Sequence, residues 1–263
     1  VLGHPVAHSL SPVLHLAAYA ELGLDWAYER HDVDAAGLPG FVEGLDASWA
    51  GLSLTMPLKE AVRPLLDRVD DVAELTGAVN TVVLGADGRS GWNTDVEGIA
   101  VALDEHAAGR GRCAVLGAGA TARSAAAALV QRGSAEVVVV ARRAEAAAAV
   151  VEVVERLGGV ATATAWGAAA DALRCDVVVS TVPRGAADEL AAAVPQQPGC
   201  LLDVVYDPWP TPLAAAWSGA GGPVASGLDM LLHQAVRQVE LMTGQRPPVA
   251  PLRRALLAAA AAR

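Results

Sequence analysis

Lysine is almost missing from this sequence: Lys59 is the only one among 263 residues, against 18 arginines. Aromatic residues amount to 4%, with a single phenylalanine, so aliphatic and alanine side chains must close the interior. Cysteine is confined to Cys113, Cys175 and Cys200, which lie far apart without a CxxC spacing; this excludes a disulfide framework and a zinc cluster. His4 and His8 lack both the HExxH spacing and a neighbouring cysteine, so no metal is expected. There is neither a charged segment leading into a short apolar run nor an apolar run of membrane length. The expectation is a cytoplasmic protein with no membrane partner. The formal net charge is -10 and the arginines are scattered. Nucleic acid is therefore not an expected partner, while a small anion is still compatible with a local cationic site.

What the chain does contain is apolar: 53% hydrophobic residues and a mean hydropathy of +0.36, far from the composition of disorder. The length suits two domains. Strands are predicted at Trp26–Val33, Gly51–Met56 and Val79–Leu84, with helices at Val13–Leu22, Leu38–Leu45 and Val96–Glu105. The fold class is α/β, with an open, mostly parallel sheet in the first domain. From "GRGRCAVLGAGATARSAAAALVQRGSAEVVVVARR" onward the pattern becomes a regular βαβ unit. Further strands are predicted at Val160–Thr164, Asp176–Ser180 and Leu201–Val205, giving a doubly wound parallel sheet. The domains expected are 1–108, 109–227 and a helical tail, 228–263, with a hinge at Gly109–Gly111 and a return linker near Gly219–Gly222. A ligand touched by both domains would lie in a cleft between them.

In "GAGATA" Gly117 permits a tight turn, Gly119 lets backbone approach a pyrophosphate, and Ala122 keeps helix close to sheet. Amides at the helix start then face the phosphates. An NAD binder carries an acid after the second strand; this chain has Ala141, Arg142 and Arg143 there. Guanidinium groups hold a ribose 2'-phosphate, so NADP is the expected cofactor. A purely structural turn followed by two solvated arginines is the plainer reading.

Four short stretches of the first domain gather hydrogen-bonding side chains: Ser9 and Ser11 in "HPVAHSLSP", Thr55 and Lys59 in "SLTMPLK", Asn80 in "GAVNT" and Asp95 in "GWNTD". The i, i+2 spacing of the serines sets two hydroxyls on one side of an extended segment. Ser11 before Pro12 equally fits a helix cap. Lys59 and Asp95 both follow predicted strand ends, where they form either a proton-transfer pair or an ordinary salt bridge. Met230 and Gln234, four apart on a predicted helix, share a face; a core methionine beside an exposed glutamine has the same spacing.

Taken in series, "HSLSP", "LTMPLK", "GAVNT", "NTD", "GAGATA", "DVVYDPWPTPL" and "GLDMLLHQA" closely resemble the shikimate dehydrogenase family across nearly the whole chain. The resemblance implies reversible reduction of 3-dehydroshikimate to shikimate with NADPH, by a monomer or homodimer whose C-terminal helices return to the first domain. It assigns catalysis to Lys59 with Asp95, and substrate binding to Ser9, Ser11, Thr55, Asn80, Asp95, Tyr206 and Gln234. It assigns the dinucleotide to Gly117, Ala118, Gly119, Ala120, Thr121, Arg142 and Arg143, with Val204, Gly227 and Met230 toward the nicotinamide. Three positions depart from the family pattern: Ala141 replaces the usual asparagine, Ala146 a frequent basic residue, and Ala120 a common third glycine. Ser9, where quinate-using relatives often carry threonine, tilts the reading toward shikimate. The alternatives are a quinate or dual quinate/shikimate dehydrogenase, and a non-catalytic binding protein of the same fold.

Overall fold

The computed structural model describes all residues from Val1 to Arg263. Two compact units divide the chain, one comprising Val1–Thr94 with Leu231–Arg263 and the other Asp95–Met230.

The first unit is built on short strands: β1 (Leu2–Gly3), β2 (His31–Asp32), β3 (Gly51–Ser53), β4 (Arg68–Val69), β5 (Thr81–Gly85) and β6 (Gly88–Trp92). β1 and β2 pair in parallel, and Leu2 bridges Leu54 just beyond β3. The remaining strands run β3-β5-β6-β4. The ladders are mixed, antiparallel for β3–β5 and β5–β6 and parallel for β4–β6, where the sequence had promised a mostly parallel sheet. The cause is the two-residue turn between β5 and β6, too short for any crossover. Leu2, Leu38, Leu54, Leu58, Val79 and Val82 form the core below. The tail helix Val249–Ala261 packs on helix Ser11–Leu22, inside the same unit.

The second unit holds β7 (Arg112–Leu116), β8 (Glu136–Ala141), β9 (Ala161–Ala165), β10 (Val177–Ser180), β11 (Cys200–Asp203) and β12 (Val224–Ser226). All pair in parallel, in the order β12-β11-β10-β7-β8-β9. This is the Rossmann-type order, whose direction of winding reverses between β7 and β10. Strand residues Val137–Ala141 are all buried, as a sheet covered on both faces requires.

Three expectations are corrected. Of Trp26–Val33 only His31–Asp32 enters a ladder. The boundary falls at Thr94/Asp95 and not at 108/109, because helix Asp95–Glu105 packs on helix Ala120–Gln131. Gly219–Gly222 ends helix Pro212–Gly219 and leads into β12, so it links strands of one sheet.

The supposed hinge at Gly109–Gly111 also lies within the second unit, and it is tied down. Arg132, its side chain 3% exposed, binds Asp104 through Nε at 3.1 Å and Nη2 at 3.0 Å. The same guanidinium donates to the Ala108 and Gly109 carbonyls at 3.0 and 3.5 Å. Asp176 accepts from the Arg112 amide at 2.9 Å. Arg132→Ala strips these carbonyls of their donor and is expected to cost about 2 kcal/mol, to be read from the denaturant midpoint.

Candidate active site

Four of the expected polar residues meet within the first unit. The Leu54 amide donates to the Asn80 carbonyl at 2.7 Å, and the Val79 amide to the Lys59 carbonyl at 2.8 Å. Thr55 is fixed by its amide on Leu2 O at 2.9 Å. The main chains of Thr55, Lys59 and Asn80 therefore lie side by side. Lys59, half-buried, sits in the short helix Leu58–Ala61.

Asn80 is 1% exposed and its amide is locked. Nδ2 donates to Thr94 Oγ1 at 2.9 Å and to Gln234 Oε1 at 3.0 Å. Oδ1 accepts from the Thr94 amide at 2.8 Å and from Thr81 Oγ1 at 2.9 Å. Gln234 is 7% exposed, so it is not the exposed neighbour of a core methionine that the spacing allowed. Its Nε2 donates to Leu231 O at 3.2 Å.

The serines are arranged differently from expectation. Leu10, at φ -92° and ψ -1°, is not extended, so the i, i+2 argument for Ser9 and Ser11 lapses. Ser11 does not cap the helix either; it is the first helical residue, with its amide on Ser9 Oγ at 3.3 Å. Ser11 is buried and Ser9 half-buried, and Arg30 donates from Nε and Nη2 to Ser9 O at 3.0 and 2.6 Å.

Asp95 belongs to the second unit, where it opens helix Asp95–Glu105 and is 3% exposed. The glycine loop follows β7. Gly117 has φ 115°, a conformation costly for any L side chain, and a Cβ there would collide with Thr181. Gly119 is exposed and precedes helix Ala120–Gln131, which has no side-chain cap. Ala118, Ala120 and Thr121 are half-buried around this helix start, and Ala122 is fully buried against the sheet. Uncapped amides beside an exposed glycine are the donor set that a pyrophosphate needs. Arg142 and Arg143, both exposed, follow β8 and precede helix Ala144–Arg156, also without a side-chain cap. Guanidinium groups at an uncapped helix start fit a 2'-phosphate. The residues thus fit an NADP molecule.

On the other side of the winding reversal, Val204 and Tyr206 follow β11. The Val204 amide donates to Ser180 O at 3.1 Å. Asp203, 2% exposed, accepts from Thr211 Oγ1 at 2.8 Å and from the Val205 amide at 3.2 Å; burial pushes its pKa up. A side chain on Gly227 would strike the Val204 carbonyl and the Tyr206 ring. Met230, 8% exposed, lies one turn further along helix Gly227–Thr243, which Gly227 opens.

Sequence reasoning missed Thr81, Thr94, Gln238 and Asp203. Gln238 had a signal, standing one helical turn beyond Gln234. Asp203 and Thr94 lie inside quoted motifs, where neighbouring residues drew the attention.

A Rossmann-type unit with a dinucleotide loop, in one chain with a smaller α/β unit presenting buried amides, defines a nicotinamide-dependent oxidoreductase. Residues 1–82 match the model described as shikimate dehydrogenase substrate binding domain, and residues 227–257 that of the shikimate 5'-dehydrogenase C-terminal domain. Residues 112–205 match a model described as NADP oxidoreductase, coenzyme F420-dependent. The chain is 39% identical to a shikimate dehydrogenase (NADP(+)) of Geobacter metallireducens, covering 98% of this chain and 95% of that one. The shikimate dehydrogenase structure of Mycobacterium tuberculosis superposes with a TM-score of 0.92 at 45% identity, covering 98% and 97%. A quinate dehydrogenase from Corynebacterium glutamicum in complex with NAD gives 0.88 at 31%, covering 98% and 97%. The chain belongs to the shikimate dehydrogenase family.

Proposed function

We propose that this protein catalyses the reversible, NADPH-dependent reduction of 3-dehydroshikimate to shikimate. The observation that carries the reading is the buried pair Asn80–Gln234, joined by a 3.0 Å hydrogen bond and adjoining the main chain of the sole lysine. Two amides, the Thr55 hydroxyl and an amine form a set suited to a hydroxylated ring with one reacting carbonyl.

The uncapped start of helix Ala120–Gln131, with Gly117–Thr121, holds the pyrophosphate, and Arg142 with Arg143 holds the 2'-phosphate. Val204, Gly227 and Met230 flank the nicotinamide, which supplies the hydride when bound. Ser9 and Ser11 bind the ring carboxylate; Thr55, Tyr206 and Gln234 bind its hydroxyls together with Asn80, whose Nδ2 hydrogen on Gln234 Oε1 is exchanged for the substrate when it enters. Lys59, oriented by Asp95, stabilises the oxygen on which charge develops and then gives it a proton. In the oxidation direction the neutral amine takes the alcohol proton. An always-protonated guanidinium cannot perform that second task, which accounts for a lone lysine in an arginine-rich chain.

The C. glutamicum neighbour keeps a quinate reading in view. Against it stand Ser9 and the lack of an acid near Ala141. Steady-state turnover of shikimate and quinate, each with NADP and NAD, tests the choice. Shikimate with NADP is expected to have the highest kcat/KM. A higher value for quinate would replace this reading, and binding without any turnover would favour a non-catalytic protein.

A further inference from the structure

Behind Asn80 lies a second amide that the reaction does not use. Gln238, 1% exposed, donates from Nε2 to the Asn80 carbonyl at 3.2 Å and to Thr81 Oγ1 at 2.9 Å. Its Oε1 accepts from Ser53 Oγ at 3.0 Å and pairs with His15 Nε2 at 3.1 Å. Every donor and acceptor of this side chain is thereby engaged. Thr81 spends its own proton on Asn80 Oδ1 at 2.9 Å.

The direction of this relay follows from the Asn80 carbonyl, and the state of His15 agrees with it. The ring is fully buried, and burial drops its pKa to about 3, so it is neutral at working pH. With Gln238 Oε1 facing it, Nε2 carries the proton, and Nδ1 faces Tyr19 Oη at 3.4 Å. Stacking on Tyr28, with ring centroids 4.0 Å apart, prevents the imidazole from turning. The Asn80 carbonyl can only accept, so Gln238 Nε2 must face it; Oε1 is left facing His15 Nε2 and Ser53 Oγ, both of which then donate.

We infer that Gln238 is a positioning residue for substrate recognition: held by His15 and Ser53, it orients the Asn80 side chain through Thr81 and fixes the Asn80 main chain directly. This rests on the reading of Asn80 as a ligand of the substrate ring. All groups involved lie in the first unit. Gln238 stands one turn beyond Gln234 on helix Gly227–Thr243, so a single helix face supplies one amide to the Asn80 side chain and another to its backbone.

The test compares wild type with Gln238→Met, Gln238→Glu, Thr81→Val and the Gln238→Met/Thr81→Val double variant, measuring melting temperature, kcat, and KM for shikimate and NADP separately. Each single change is expected to raise KM for shikimate about tenfold, the scale of one lost buried hydrogen bond, with KM for NADP held within about twofold. The double variant should be little worse than either single one, because both cut the same relay. An unchanged KM for shikimate alongside a lowered melting temperature would overturn the inference, leaving Gln238 a packing residue. So would equal rises in both KM values, or full additivity in the double variant. Should Gln238→Met fail to fold, Gln238→Glu and Thr81→Val decide the matter, since both nearly preserve shape. Wild-type inactivity on shikimate would instead refute the proposed function, a result distinct from any of these.

Discussion

Lys59→Ala is expected to lower kcat for shikimate oxidation about 10³-fold, the middle of the range for a positioned acid/base group, with KM for shikimate changed only a few-fold. The reasoning is one of residue chemistry. The chain places arginine at every other basic position, so a requirement for positive charge alone would be met by arginine here as well. Lys59→Arg separates the two demands. It keeps the cation in a short helix whose main chain is held by the Val79 amide. If the amine shuttles a proton, Lys59→Arg stays within about tenfold of the alanine variant in the oxidation direction. If the cation merely holds substrate, Lys59→Arg recovers most of the rate, and the loss in Lys59→Ala appears in KM.

The second large effect concerns the cofactor. The Arg142→Ala/Arg143→Ala double variant is expected to lower kcat/KM for NADP about 10³-fold, as two charge-assisted hydrogen bonds to phosphate are lost. The same parameter with NAD should move by no more than about twofold, since NAD offers no 2'-phosphate. Both arginines are exposed and precede an uncapped helix, so removing them takes nothing from the core. A parallel decline with both cofactors would mean that the arginines support the loop instead of reading the phosphate.

The second unit was the more legible in sequence. Its strands are near-continuous apolar runs, because a parallel sheet is buried on both faces, and β9 and β10 fall within a residue of their expected spans. β12 escaped notice at three residues, Val224–Ser226. In the first unit β6 was missed because "GRSGW" looks like a turn. Gly91 is needed there since a Cβ would run into Leu66 and Val79, a constraint set by residues distant in sequence. Trp26–Val33 had strand-like composition, yet only His31–Asp32 finds a partner in β1. Ladder membership depends on neighbours, which composition does not record.

The site divides in the same way. Residue types and motif order pointed to Thr55, Asn80 and Gln234; in the structure the Leu54 amide, next to Thr55, bonds the Asn80 carbonyl, and Asn80 bonds Gln234 directly. The partners of the supporting groups were not legible, even where the groups themselves had a signal. Gln238 reaches Asn80 across 158 positions, and His15 reaches Gln238 across 223. The serine geometry was misjudged for a local reason, the helical turn at Leu10. The boundary at Thr94/Asp95 was hidden by a packing preference, that of helix Asp95–Glu105 for the Rossmann-type unit.

A crystal structure of the ternary complex with shikimate and NADP measures the decisive quantity, the separation between Lys59 Nζ and the hydroxyl that becomes the carbonyl. A proton shuttle requires about 3 Å, with Asp95 in contact with the same amine. Should Nζ point into solvent while another side chain occupies that position, the role given to the lone lysine would be wrong.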